Sequence, residues 1–155
     1  MNRLALAYCV NPRELIFQEI LPLLSHTYYM QTSLKTSASF ARKEAMSING
    51  TGDAATDWSK TLEHLTMRTD IRKLTMQSWE SEFPIRRGLR ETPAWCPTCY
   101  HEWREQGLPL YQPLMWMIRS VTMCLQHRRR LEERCSQCQK PQSTISTHGQ
   151  LGYCT

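Results

Sequence analysis

Six of the chain's seven cysteines fall between positions 96 and 154, and two pairs of them have Cys-x2-Cys spacing. Such a chain must gather its sulfurs, either in disulfides or around metal. A disulfide framework usually comes with an even cysteine count and an export signal. Seven is odd. The apolar run at the N-terminus stops at Val10, before Pro12, Arg13 and Glu14, and no small-residue cleavage site follows it. The sequence therefore reads as mature protein of the reducing cytosol, with cysteines that serve a metal.

Trp95-Cys96-Pro97-Thr98-Cys99 is a knuckle that supplies half a tetrahedron. Cys124-Leu125-Gln126-His127 supplies the other half, with 24 residues between the pairs. A lone Cys-x2-Cys could equally be a redox motif. Followed by Cys-x2-His, it points to zinc held by Cys96, Cys99, Cys124 and His127. Four protein ligands leave no open position for water, so the expected role is structural. Met115–Ile118 and Val121–Met123 look strand-like and lead into the second pair. The order knuckle, helix or loop, hairpin, knuckle is that of a zinc ribbon or treble-clef-like module.

A second zinc is expected at Cys135, Cys138 and Cys154, which lack a fourth ligand here. Either the sequence stops short of it, or His148 or an outside group serves. Cys9 lies apart and is expected in the core. Arg128, Arg129 and Arg130 directly follow the ligand His127, with Arg134 close by. Held beside a metal site, they could contact phosphates, or they could form a solvated charged turn.

The N-terminal half reads as helical. Asn11 can cap, Pro12 suits the first helical position, and Pro22 should end that helix early. A Ser/Thr-rich segment spans 31–56. Asp57 is the expected cap of a helix through Trp58, Leu62 and Leu65. Thr69 or Asp70 can cap a second short one. These could form a helix-turn-helix or simply packed helices. The expected fold is thus small α+β. A mainly helical region, with a helix-turn-helix as one option, covers 1–85. A linker with Arg86, Arg87 and Arg90 covers 86–93. Tandem zinc-ribbon or zinc-knuckle modules with short β-hairpins cover 94–155.

Enzyme signatures are missing. There is no His-Glu-x2-His, no nucleophile elbow and no phosphate-cradling glycine loop, and no His-x-Glu precedes the knuckle as in nucleobase deaminases. No stretch approaches the roughly 20 apolar residues of a membrane span. The formal charge of +5 supports nucleic-acid contact only weakly.

From Trp58 to Cys154 the sequence resembles the TniQ/TnsD family of bacterial transposon target-selection proteins. The resemblance rests on Leu62-x-x-Leu65-Thr66, Asp70-Ile71-x-x-Leu74-Thr75, Trp79 and Arg90-x4-Trp95-Cys96-Pro97-x-Cys99. It continues through Tyr111-x-Pro113-Leu114-x-Trp116, Val121-x-x-Cys124-x-x-His127, Leu131-x3-Cys135-x-x-Cys138 and Gly152-Tyr153-Cys154. The family's opening Glu-Ser-Leu-x-Ser-Trp-Leu segment and its last cysteine are not matched. The resemblance implies a non-enzymatic adaptor that links target DNA, or an RNA-guided CRISPR effector with its guide, to an AAA+ ATPase regulator of the TnsC or TniB type. That regulator recruits the transposase. A homodimer is compatible with this role, and the implied location is the bacterial cytoplasm and nucleoid. The alternative from the residues alone is a stand-alone zinc-ribbon DNA-binding regulator.

Overall fold

The structure is a computed structural model and describes residues 5, 7–25, 48–81, 88–142 and 151–153. Most of the Ser/Thr-rich segment, Arg86, Arg87, His148 and Cys154 lie outside the described residues.

The first helical stretch opens as its sequence dictates. Asn11 is extended, its side-chain oxygen accepts from the Arg13 N–H at 2.8 Å, and Pro12 holds the first position of α1 (Pro12–Glu14). The chain then loosens into a π-helical segment, Leu15–Ile20, and tightens into a 3-10 turn, Leu21–Leu23. Pro22 has no N–H to continue an α ladder, and Leu24 is extended. Cys9 is exposed, with φ 53°, in the turn that follows residue 7. This corrects the expected core placement: a side chain on a left-handed turn residue here points away from the packed faces.

Helix α2 (Asp53–Thr66) begins four residues before the expected cap. Gly52 is its N-cap residue, and Asp53 places a carboxylate in the first turn, where the helix dipole favours it. Asp57 lies one turn inside and accepts a hydrogen bond from the Ser25 hydroxyl instead. Met67 ends the helix in the left-handed conformation, φ 54°. Trp58, 1% exposed, anchors α2 against Ile16, Ile20, Leu21 and Leu24. Two 3-10 turns follow, Ile71–Leu74 and Met76–Trp79. Asp70 precedes the first, but its side chain pairs with Arg68. Single turns of four residues give no recognition helix, so among the described residues the helix-turn-helix option is not realised.

A second core gathers around Cys96, Cys99, Tyr100, Trp116, Cys124 and Leu131, with Ala94 and Trp95. A third, smaller cluster packs Met76 with Leu89 and Met117. Residues 88–93 run through a turn, a bridge and two bends, with Leu89, Arg90 and Pro93 buried. Leu89 bridges Ile118, and the buried Arg90 donates to the carbonyls of Arg119 and Val121 and pairs with Glu133.

The molecule is helix-rich with few strand pairings. Among the described residues β structure is confined to isolated antiparallel bridges: Leu89 with Ile118, Trp95 with Glu132, and Met123 with Arg130. The expected strand at Met115–Ile118 is instead a 3-10 turn, Leu114–Met117, opened by Pro113 at φ −54°. Among the described residues its backbone pairs with another segment at a single bridge, Leu89 with Ile118. No helix of the described residues is long and apolar enough to cross a membrane.

Candidate metal centre

Helix α3 (Pro97–Glu105) starts inside the first knuckle. Cys96 is its N-cap residue, Pro97 fixes the first helical φ, and Cys99 falls in the first turn. Both sulfurs therefore sit at the helix N-terminus, where unpaired N–H groups and the helix dipole favour negative charge. The stretch before the helix is tied down at Trp95, whose N–H and carbonyl exchange hydrogen bonds with Glu132 at 2.9 and 2.8 Å.

The opposite half is a tight turn. The Arg128 N–H donates to the Cys124 carbonyl, and the Cys124 N–H to the Arg129 carbonyl, both at 2.8 Å. Arg128 takes φ 50° to close it. The Leu131 N–H to Thr122 carbonyl bond, 2.9 Å, extends the bracket by one pair.

These two halves bring together the four residues expected from spacing. The ligand atoms of Cys96, Cys99, Cys124 and His127 all lie within 4.8 Å of one another, so the cluster could hold a metal ion. His127 Nδ1 is 3.5, 3.2 and 3.7 Å from the sulfurs of Cys96, Cys99 and Cys124, and the Cys99 and Cys124 sulfurs are 3.6 Å apart. For tetrahedral zinc with Zn–S near 2.3 Å and Zn–N near 2.0–2.1 Å, ligand–ligand edges come to about 3.5–3.8 Å. The donor set thus fits such an ion. It does not fit a disulfide, whose sulfurs lie about 2.05 Å apart.

The clustered thiols also act on one another. Burial, then the neighbouring Cys124 and Cys96, push the Cys99 thiol well above its ordinary range. Burial opposes ionisation of Cys124 too, but the His127 backbone N–H and ring outweigh it and hold that thiol at about 7. Thiolates brought this close together need a positive partner, which a dication would supply.

The ring of His127 is gripped from behind, a feature that spacing alone did not reveal. Its Nε2 lies 2.8 Å from Glu102 Oε1, and Gln126 Nε2 donates to Glu102 Oε2 at 3.3 Å. In the same core, Trp103 stacks on Tyr111 and on Trp116, at centroid distances of 4.4 and 6.0 Å.

Cys135 and Cys138 occupy a second turn, built like that of Cys124 and His127. The Gln139 N–H donates to the Cys135 carbonyl at 2.9 Å, and the Cys135 N–H to the Lys140 carbonyl at 3.0 Å. Gln139 takes φ 58°, the counterpart of Arg128. Cys135 is half-buried and Cys138 exposed; Cys154, their expected companion, is outside the described residues. Of the arginines singled out, Arg129 reaches Thr98 and Glu132, Arg134 donates to the Gln139 carbonyl, and Arg128 and Arg130 are exposed.

No curated protein matches the chain in sequence. The sequence profile of the TniQ family matches residues 1–131, a span that takes in all three α-helices and all four clustered donors. The chain belongs to the TniQ family, which implies a role in transposition.

Proposed function

We propose that this TniQ-family chain is a non-enzymatic adaptor in DNA transposition. It links a recognised target, either DNA or an RNA-guided CRISPR effector, to an AAA+ ATPase regulator that recruits the transposase. The family match over residues 1–131 carries this reading. The closed set of four donors supports it, because such a site shapes a surface and leaves no coordination position for substrate.

In this reading Cys96, Cys99, Cys124 and His127 hold a structural zinc. Cys135, Cys138 and Cys154 hold a second, completed by His148 or by a group outside this sequence. The matching backbone of the two turns supports a common use. Capture of the ATPase of the same genetic element, with ATP and DNA present, tests the adaptor role. Retention of the ATPase is expected; an empty column counts against it.

A stand-alone DNA-binding regulator is the second reading. It is favoured by the exposed Arg128 and Arg130 beside the ligand turn, with Arg134 nearby. It predicts tight binding to duplex DNA without the ATPase. Replacing all three by glutamine would then flatten the log–log salt slope by about 2–3, near 0.9 for each phosphate that is no longer neutralised.

A further inference from the structure

We infer that Glu102 is a positioning residue of the metal centre: its carboxylate fixes the His127 ring so that Nδ1 faces the three sulfurs. This rests on the metal reading of the cluster.

Cys96, Cys99 and Glu102 follow one another at three-residue steps along the start of α3, so they share one edge of the helix. That edge offers two sulfurs and then a carboxylate. His127, from a turn 25 residues beyond Glu102, bridges the two: Nδ1 toward the sulfurs, Nε2 toward Glu102 Oε1. An imidazole has two nitrogens and two ring flips. An Nε2–H donated to a carboxylate selects the tautomer whose Nδ1 lone pair is free for a metal, and makes that nitrogen more basic. Gln126 holds the other carboxylate oxygen, so the acceptor is itself oriented.

The contact does little as a plain ion pair. Glu102 is 37% exposed and His127 15%, and pairs with that much solvent contribute little to stability. Its effect is expected in metal retention.

The test compares the full chain with Glu102→Ala and Glu102→Gln. Zinc affinity is read by competition with a chelating dye, and ligation by the cobalt(II) spectrum. The His127 tautomer is read by long-range 15N–1H correlation. Glu102→Ala is expected to lose roughly 10–100-fold in zinc affinity and to show mixed tautomers. Glu102→Gln, whose amide oxygen still accepts, should lose less and keep the Nε2–H form. The tetrahedral cobalt(II) spectrum should persist in all three, because no ligand has been removed.

Glu102→Ala binding zinc within about twofold of the parent, with the parent's tautomer, would overturn the role of Glu102 alone. A parent chain that takes up neither zinc nor cobalt would overturn the metal reading along with it.

Discussion

At the scale of single residues, the structure gathers Cys96, Cys99, Cys124 and His127 into one cluster that could hold a metal ion. Spacing alone can single out such a set, because metal geometry would impose it: two donors must share one turn. Glu102 could not be found that way. Cys99-x-x-Glu102 reads as an ordinary charged helix face, and its partner His127 lies far along the chain. Cys9 went astray for a similar reason. Cysteine is usually buried, but nothing local announces a left-handed turn at that position. The residue-scale prediction is that Cys124→Ser lowers the zinc content of the purified protein by one equivalent, whereas Cys9→Ser, exposed and apart from the cluster, leaves it unchanged. Metal analysis by mass spectrometry reads both.

At the scale of elements, capping signals were legible and lengths less so. Asn11 and Pro12 start α1 because they satisfy a geometry that lies wholly within a few residues. Asp57 is chemically as good a cap, yet a glycine five residues earlier already opens α2, and Ser25 gives the aspartate another partner. Strand prediction at Met115–Ile118 failed because a strand needs a neighbour, and the sequence does not say whether one is present.

The short segment at 151–153 shows how one element holds another. Gly152 has φ 82°, and its carbonyl accepts from Arg104 at 3.0 Å. Arg104 also lies over the Tyr153 ring, 5.1 Å from its centroid. A Cβ at Gly152 would come 2.6 Å from the Arg104 guanidinium and 3.2 Å from Tyr100. Gly152→Ala is therefore expected to destabilise the folded protein by roughly 1–2 kcal/mol, most of it backbone strain. Urea denaturation followed by tryptophan fluorescence would measure it; an unchanged midpoint would contradict this docking.

At the scale of the whole molecule, the two cores rest on different physics. The first is apolar packing around Trp58 and needs no ion. The second has Cys96, Cys99 and Cys124 among its central residues, and if that cluster holds the proposed zinc, removing it would leave buried thiols in place of a hydrophobic centre. Chelation is thus expected to disrupt the second core first. In the parent, EDTA should collapse the near-UV dichroism contributed by Trp95, Trp103 and Trp116. In the same protein, the buried indole N–H of Trp58 should stay protected from hydrogen exchange under this treatment. Simultaneous loss of both signals would mean that the Met76–Leu89–Met117 contact couples the cores into one unit.

The paired turns at 124–129 and 135–140 carry one more consequence. In each, the residue after the second donor position sits in a conformation natural to glycine, and in neither is it glycine: Arg128 at φ 50° and Gln139 at φ 58°. For a residue with a Cβ that conformation costs roughly 1–2 kcal/mol, of the same order as the flexibility cost of glycine. Arg128→Gly should therefore leave the melting temperature and zinc content nearly unchanged while deleting a positive charge. Few surface arginines can be removed so cleanly. If this variant folds, binds metal and still captures its partner, the guanidinium is a passenger at that corner. If it folds and binds metal but releases the partner, the corner is a contact point, with stability already ruled out as the cause.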